Sequence, residues 1–424
     1  MTSSFIGTVL EWYDFYIYGT AATLVFGELF FPTLDPTSAT LAAFAAYGIG
    51  FVLKPVGGVI LSRCGDTMGR KKVLLLSLVM MGLATGAIGL LPTYNQIGAW
   101  APALLVLLRL VQSIGAGAEY GGALTMVSEF STAKNRGLLT SLPALGVSLG
   151  ILIGTAMFAA LSTLPKESLM QWGWRLPFLA GFSLVLVGLY MRLQVRETPV
   201  FQQLEREKRL VRSPFLHLIK HEWRRLLIAA GARSADAVGS QFFSVFAIAY
   251  CIKTLGLPPS VGLMGVMLAN LVGLAVIPIV GFLCDRFGRR PVYLSGLAFL
   301  IAFIFPYFWL LETRQPVLIF TAMILAYGVG VKVALSASGA FLAELFGAQS
   351  RSTGVTLART ISDPIAGATP LIASALVAAS SDYRLAAAFA LGFMVLAFLC
   401  VVAAPETQGI AMIDTSDVAA DRTS

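Results

Sequence analysis

Two short stretches decide how this chain folds: GDTMGRKK at residues 65–72 and CDRFGRRP at residues 284–291. Each has an aspartate, a glycine three residues later and then basic residues, and each lies between two long apolar runs. A glycine and basic residues are expected at a tight turn between membrane helices on backbone and topology grounds alone. Those grounds do not explain an aspartate at the same place in both stretches, so the pattern indicates that one half of the chain repeats the other.

The apolar runs around these stretches set the fold class. The chain is 57% hydrophobic and only 12% charged, whereas soluble proteins carry about 25% charged residues. A membrane-spanning helix takes about 20 apolar residues. We therefore predict an all-α membrane protein with twelve transmembrane helices. The predicted segments are roughly residues 5–31, 39–61, 73–92, 101–130, 138–163, 173–195, 225–253, 260–283, 292–311, 316–345, 353–379 and 385–404.

The positions of lysine and arginine predict the orientation. The connections after even-numbered segments, with the tail, carry twenty of these residues, and the opposite connections carry four. Because positive loops stay in the cytoplasm, we predict that both termini are cytoplasmic in a multi-pass protein of the cell (inner or plasma) membrane. The basic composition is then a topology signal, and no nucleic-acid partner is expected.

A second repeated motif supports the duplication. Asp66, Gly69 and Arg70 recur as Asp285, Gly288 and Arg289, all three at one constant offset along the chain. Glu129 and Arg136 recur as Glu344 and Arg351, again at one offset, which is almost the same as the first. Two motifs at nearly one offset predict two six-helix pseudo-repeat bundles. The predicted parts are an N-terminal bundle (1–195), a cytoplasmic central loop (196–224), a C-terminal bundle (225–404) and a short cytoplasmic tail (405–424).

The repeated residues predict a gate at the cytoplasmic face. An aspartate at a helix end pairs with arginine or caps a neighbouring helix, and such a contact can hold one conformation and release another. Thr67 stands where the second stretch has Arg286, so we expect Arg63 or Arg70 to supply the first latch. The predicted gate residues are Asp66, Gly69, Arg70, Asp285, Gly288, Arg289, Glu129, Arg136, Glu344 and Arg351.

GDTMGRKK and its repeat resemble the signature of the major facilitator superfamily. Six further stretches resemble its metabolite:proton symporter family: LEWYDFYIYGT (10–20), FGELFFPTLDP (26–36), LRLVQSIGAGAEYGGA (108–123), WGWRLPF (172–178), RETPVF (196–201) and AELFGAQSRSTG (343–354). That family carries shikimate, 2-oxoglutarate, citrate, other organic acids, and proline or betaine. The resemblance implies a proton-driven importer of a small polar metabolite. The sequence departs from the family pattern at Cys64, Thr67, Ala144 and Ser148, which bears on the substrate more than on the fold.

Ten ionisable residues lie inside the predicted helices, where each costs roughly 2.5–3.5 kcal/mol at the bilayer centre. They are Glu11, Asp14, Lys54, Arg109, Glu119, Arg233, Asp236, Lys332, Arg359 and Asp363. Arg233 and Asp236 are three residues apart, and Arg359 and Asp363 four apart, so each pair can satisfy itself on one helix. Structural pairs that fix helix register and functional groups therefore both remain open.

Asp14, Arg109 and Glu119 are the predicted proton-coupling residues. Asp14 lies about nine residues into the first segment, roughly 14 Å along a helix and close to the bilayer midplane. The resemblance points the same way, because related carriers place a protonatable aspartate in helix 1 near an arginine in helix 4. We predict that Asp14, or alternatively Glu119, carries the proton and that Arg109 controls its binding.

Interior cations predict an anionic substrate. Lys332 lies in the middle of predicted helix 10, too far from either end to reach water, and Arg359 is a second additional cation. Arginine makes bidentate contacts with carboxylates, and lysine acts as a point charge. Pairing of Lys332 with Asp363 is the structural alternative. The predicted substrate-binding residues are Lys332, Arg359, Arg233, Gln112 and Tyr16.

The prediction is a monomeric, proton-coupled secondary active transporter that imports a small organic acid or similar polar metabolite by alternating access. Two alternatives stay open: an exporter of a drug, toxin or metabolite by proton antiport, and a symporter of a zwitterionic osmolyte such as proline or betaine. The sequence has no HExxH, P-loop or clustered metal ligands, so we expect no enzyme activity, no cofactor and no metal. The expected partners are the substrate, protons and the lipid bilayer.

Overall fold

The structure is a computed structural model. It describes residues 2–68, 70–117, 124, 127, 131, 132, 134–193, 218, 220, 222–346 and 351–409. Within these ranges the side chains of residues 2–4, 59, 60, 62–68, 70–74, 184, 187, 191–193, 351 and 352 are not described.

The described residues form twelve long helices, here α1–α12. Their bounds are α1 Thr2–Ala21 continued to residue 30, α2 Pro36–Met68, α3 Arg70–Leu90, α4 Trp100–Ala116, α5 Arg136–Leu161, α6 Lys166–Ser168 continued to residue 193, α7 Trp223–Thr254, α8 Pro259–Phe287, α9 Arg289–Glu312, α10 Pro316–Leu345, α11 Arg351–Ser380 and α12 Arg384–Ala403. Nine of the described helices are long and apolar enough to cross a membrane. Each predicted segment falls on one helix wherever the structure describes it, so the predicted fold class is confirmed. Several helices begin earlier than their apolar runs, because a helix continues into polar residues at its ends.

Local sequence signals set two of the helix ends. The Asp35 carboxylate accepts the N–H groups of Thr37 and Ser38 at 3.1 Å, and Pro36 opens α2. This is a helix N-cap followed by proline at the first position. Hydrogen bonds from Ser38 hold the pKa of the Asp35 carboxyl below its usual range. At the turn from α8 into α9, Gly288 ends α8 with a φ of +100°, a conformation that favours glycine.

A π-helical turn gives independent support for the duplication. It occupies Ala22–Phe26 in α1 and Phe242–Phe246 in α7, the corresponding helix of the second half. The separation of the two turns along the chain is close to the offset of the repeated motifs. Turns of this kind occur often at functional sites.

The two halves meet through two equivalent helix pairs, α2 with α11 and α5 with α8. Glycines allow the close approach in both. A Cβ on Gly48 would lie 2.9 Å from the Gly367 carbonyl oxygen, and a Cβ on Gly281 would lie 2.9 Å from the Gly137 carbonyl oxygen. Small residues let membrane helices pack backbone to backbone. The contact between the halves is therefore built twice in the same way.

Glycines also fix the packing of α1 on α5, which gives a test of the fold. A Cβ on Gly150 would overlap the Val9 carbonyl oxygen, a backbone atom that cannot move aside. We expect Gly150→Val to destabilise the protein by about 1–3 kcal/mol through overpacking, measured as a lower midpoint of thermal unfolding in detergent. Gly392→Val is the control, because nothing lies within 4 Å of a Cβ there. Equal midpoints for the two variants would contradict the close contact.

Candidate transport site

Asp14 lies fully inside the first half of the protein, 1% exposed. Its Oδ2 is 2.8 Å from the Thr85 hydroxyl of α3, and that hydroxyl is also 2.8 Å from the Met81 carbonyl oxygen. Gln112 of α4 donates from Nε2 to the same hydroxyl at 2.8 Å. Asp14 makes no ion pair with any described side chain. Its carboxyl group is therefore held by neutral hydrogen-bonding groups alone.

Arg109 joins this group indirectly. Its Nη1 donates to Gln112 Oε1 at 2.5 Å, so Gln112 and Thr85 stand between the arginine and Asp14. Aromatic rings surround the guanidinium, with centroids 4.2–5.9 Å from Cζ: Phe15, Tyr18, Tyr47 and Phe51. Cation–π contacts with several rings stabilise a desolvated guanidinium. The predicted Asp14 and Arg109 are thus brought together, but through a bridge and not as a direct pair.

The network continues into the second half of the protein. Tyr47 of α2 is one of the rings around Arg109, and its hydroxyl donates to Gln241 Oε1 of α7 at 2.8 Å. Both groups are buried. A continuous line of contacts therefore runs from Asp14 to the helix that corresponds to α1 in the other half.

Pairing within one helix, left open for Arg233–Asp236 and Arg359–Asp363, is joined by a contact between two helices. Arg233 of α7 pairs with Asp363 of α11, with Nη1 2.9 Å from Oδ1, and also contacts the Ser362 hydroxyl. Arg233 and Asp363 meet because α7 packs along α11, and spacing within one helix gives no information on such a contact. In the first half, Lys54 of α2 forms an equally buried pair with Glu11 of α1.

Tyr16 lies on the side of α1 away from the Asp14 network. Residues two positions apart in an α-helix differ by about 200° around its axis, so Asp14 and Tyr16 lie on opposite sides of α1. Asp14 packs against Gly181 of α6, whereas Tyr16 lies beside Gly154 of α5. Gln112, predicted to bind substrate, is hydrogen-bonded to Arg109 and Thr85, and its predicted role stays a prediction.

Lys332 is fully buried in α10, and its Nζ makes no hydrogen bond to any described residue. The ammonium lies 4.4 Å from the centroid of the Tyr327 ring. Asp363, the alternative partner considered from the sequence, is held by Arg233. The structure thus leaves this cation without an acid among the described residues.

The second copy of the gate motif joins both halves where α5 begins and α8 ends. The Asp285 carboxylate accepts the N–H groups of Gly137 and Leu138 at 2.8 and 2.9 Å, which caps α5. Arg289 reaches Glu344 of α10 through two hydrogen bonds of 3.0 Å and lies 3.1 Å from Asp285. Bidentate contacts of this kind are the strongest arginine–carboxylate geometry.

Glu344 is the centre of this cluster. It also accepts from Arg136 of α5 at 2.9 Å, which ties the two halves together, and from the Thr407 hydroxyl beyond α12 at 2.9 Å. Glu406 accepts the backbone N–H groups of Arg289 and Arg290 at the start of α9. Arg136, Arg289 and Glu344 are all buried.

The first copy of the gate lies mostly outside the described residues, as do Glu119 and Glu129. The backbone of Asp66 belongs to α2, that of Arg70 to α3 and that of Arg351 to α11, and Gly69 lies outside the described residues. The side chains of Arg63 and Arg70 likewise lie outside the description. Their predicted roles stay predictions.

Several residues of the site were not predicted from the sequence. They are Thr85 and Gln241 in the network around Asp14, Asn270 and Tyr327 near Lys332, and Glu406 and Thr407 at the gate. In the sequence, Thr85, Gln241, Asn270 and Tyr327 look like ordinary helix residues. One signal was available for Glu406, an acid directly after a proline that follows the last apolar segment.

Twelve helices in two equivalent halves, with buried charges between them, define a polytopic membrane protein of the secondary-transporter type. The family model described as Major Facilitator Superfamily matches residues 4–368 and, in a second match, 237–411. The chain belongs to the major facilitator superfamily.

The relatives with known names are transporters as well. The shikimate transporter of Escherichia coli (strain K12) is 36% identical over 379 residues, covering 88% of this chain and 86% of the relative. The proline/betaine transporter of Salmonella typhimurium is 32% identical over 432 residues, covering 99% and 86%. The xylose transporter XylE from E. coli, in a partially occluded inward open conformation, has a TM-score of 0.74 over 97% of this chain and 98% of that chain. At 17% identity that likeness shows the fold alone. The chain is a multi-pass membrane transporter and not an enzyme.

Proposed function

We propose that this protein is a proton-coupled symporter that imports a small organic acid, or a similar polar metabolite, across the cell (inner or plasma) membrane by alternating access. The observation that carries the proposal is the buried Asp14 carboxyl with its hydrogen bond to Thr85. Relatives that transport shikimate and proline or betaine are consistent with a small polar substrate.

The Thr85 hydroxyl suits both protonation states of Asp14. A hydroxyl donates one hydrogen bond and accepts two. When Asp14 is charged, Thr85 donates to it and accepts from Gln112. When Asp14 is protonated, the carboxyl donates to Thr85, which then turns its own hydrogen to the Met81 carbonyl 2.8 Å away. Neither state leaves the hydroxyl without partners, so a proton can be taken up and released at this buried site.

Asp14 does not face the interface between the halves, so coupling to the substrate is indirect. Protonation removes a charge beside Gln112 and Arg109, and the guanidinium lies among rings of α1 and α2. Tyr47 carries that contact to Gln241 of α7. A shift of Arg109 on protonation would thus act on a hydrogen bond between the halves, which is where alternating access requires a change.

The closed side is proposed to be the cytoplasmic one. The cluster around Glu344 lies at the helix ends that carry most of the basic residues in the sequence, and positive loops stay in the cytoplasm. Import then requires this cluster to open after substrate has entered from outside.

The test is uptake into proteoliposomes with an imposed pH gradient, against a panel of carboxylates, betaine and amino acids. We expect an acidic exterior to raise the initial uptake of a carboxylate several-fold and a protonophore to abolish the increase. Uptake that ignores the gradient would overturn proton coupling. Gradient-driven efflux in place of uptake would identify an antiporter, and accumulation of betaine alone would identify an osmolyte carrier.

A further inference from the structure

Four buried polar atoms, one in the first half of the protein and three in the second, make no hydrogen bond of standard geometry to any described residue. They are the Tyr16 hydroxyl of α1, Asn270 Oδ1 of α8, and the Tyr327 hydroxyl and Lys332 Nζ of α10. All four residues are at most 3% exposed. A buried polar group costs free energy when it makes no hydrogen bond. Such a group inside a transporter points to a ligand.

The four groups form one cluster. The side chains of Ser244 and Asn270 lie close to the Tyr327 hydroxyl, and those of Thr155 and Ser244 lie close to the Tyr16 hydroxyl, although none makes a hydrogen bond of standard geometry to either hydroxyl. Ser244 donates its own hydrogen to the Ser240 carbonyl oxygen within α7. Asn270 uses its Nδ2 on the Val266 carbonyl oxygen at 2.9 Å, which leaves Oδ1 as an acceptor. The cluster therefore offers two hydroxyls, one acceptor oxygen and one ammonium.

The two repeats carry a lysine and a glycine at exchanged positions. At the offset of the repeated aspartate motif, Lys54 in α2 corresponds to Gly273 of α8. At the offset of the repeated glutamate motif, Gly117 corresponds to Lys332. Each half thus has one lysine and one glycine, on exchanged helices. The glycine makes room in the second half, because a Cβ on Gly273 would lie 3.0 Å from Lys332 Cγ.

Among the described residues, only the lysine of the first half is paired with an acid. Lys54 is paired with Glu11. At the offset of the aspartate motif, the equivalent of Glu11 is Ala230. Lys332 Nζ makes no hydrogen bond to any described carboxylate. A carboxylate carried by the substrate would form an ion pair with Lys332, as Glu11 does with Lys54.

We propose that Lys332, Tyr327, Tyr16 and Asn270 bind a hydroxylated monocarboxylate. The substrate carboxylate accepts from the Lys332 ammonium and a tyrosine hydroxyl, and a substrate hydroxyl donates to Asn270 Oδ1. This inference rests on the proposed transport function and narrows its substrate class.

The other interior charges limit the substrate to one carboxylate. Arg233 is held by Asp363, and Arg109 is enclosed by rings and bonded to Gln112. Arg359 already has an interaction within the protein. A second carboxylate would find no available cation in the described cluster. A substrate ammonium would find no carboxylate there either, because Asp14 lies on the other face of α1.

Binding to the purified full-length protein at one fixed pH, without a gradient, tests the proposal separately from proton coupling. Two matched series of ligands are compared, each with a hydroxymonocarboxylate, its deoxy acid, a neutral polyol and a dicarboxylate. The first is lactate, propionate, glycerol and hydroxymalonate, and the second is gluconate, hexanoate, sorbitol and glucarate. Glycine betaine is added to both. We expect the hydroxymonocarboxylate of at least one series to bind about 10- to 100-fold more tightly than the deoxy, neutral and dicarboxylate compounds of that series. Loss of one charge-assisted or buried hydrogen bond implies a difference of this size. Tighter binding of any other class, or binding of none, overturns the proposal.

Variants assign the contacts. Lys332→Met keeps the length of the side chain and is expected to weaken carboxylate binding at least about tenfold, with partial recovery in Lys332→Arg. Asn270→Leu is expected to remove the preference for the hydroxylated over the deoxy acid while both still bind. Lys253→Met, at an exposed lysine, is the matched control. Unchanged affinity in correctly folded Lys332→Met, judged by its thermal unfolding midpoint, overturns the role of Lys332. If the ligands and variants bind as expected but a pH gradient drives no uptake, the proposed substrate class stands and only proton coupling is contradicted.

Discussion

Asp14→Asn is expected to abolish uptake driven by a pH gradient while leaving exchange of substrate across the membrane in place. Asparagine has the shape of a protonated aspartic acid, and its amide can donate to the Thr85 hydroxyl as the protonated carboxyl does. The variant would therefore be fixed in one of the two hydrogen-bonding states. Without a proton to release, it has no means of drawing energy from the gradient.

Two assays on the same proteoliposomes measure this. Gradient-driven accumulation is expected to fall at least about tenfold, whereas counterflow of labelled substrate, which needs no net proton movement, is expected to continue. Asp382→Asn is the control, because the Asp382 side chain is only partly buried and is paired with Arg384. Full pH dependence of uptake in Asp14→Asn would exclude Asp14 as the proton carrier and turn attention to Glu119. Loss of both assays together would indicate a structural role for Asp14.

The fold could be predicted from the sequence because the bilayer imposes one demand on every segment. Each spanning helix needs a long apolar run, and each connection on one side needs basic residues, so both signals are local. The duplication was visible for the same reason: Asp66 and Asp285 stand at corresponding turns, and the structure adds corresponding π-helical turns. Only the helix ends differed, as in α6, which begins at Lys166 although the predicted segment begins at residue 173.

The site was predicted in part, and the limits have a physical cause. Spacing along one helix identifies neighbours on that helix, which is why Asp236 was considered as a partner of Arg233. The observed partner, Asp363, depends on the relative position of α7 and α11, which packing decides. Thr85 and Asn270 were missed because a single threonine or asparagine in a helix carries no pattern. A buried ionisable residue such as Asp14 is conspicuous in sequence because its burial is costly.

Neutralising Glu344 is expected to have the second large effect, on both stability and conformation. Glu344 lies 2.9 Å from Arg136 and accepts two hydrogen bonds from Arg289, and all three residues are buried. Removing one charge from such a group leaves buried arginines uncompensated, which costs about 3–5 kcal/mol. We expect Glu344→Gln to lower the midpoint of thermal unfolding clearly, whereas Glu312→Gln, at an exposed glutamate, leaves it unchanged.

The same variant should open the end of the protein that the cluster closes, because Arg136 belongs to one half and Glu344 to the other. Ser141 lies buried one turn into α5 behind this contact, so Ser141→Cys in a background without the four native cysteines reports on opening. We expect a thiol reagent to label that cysteine several times faster when Glu344→Gln is added. Adding Arg136→Gln as well should cost less than the two separate losses predict, since each removes the same pair. Strictly additive losses, with unchanged labelling, would mean that this ion pair does not hold the two halves together.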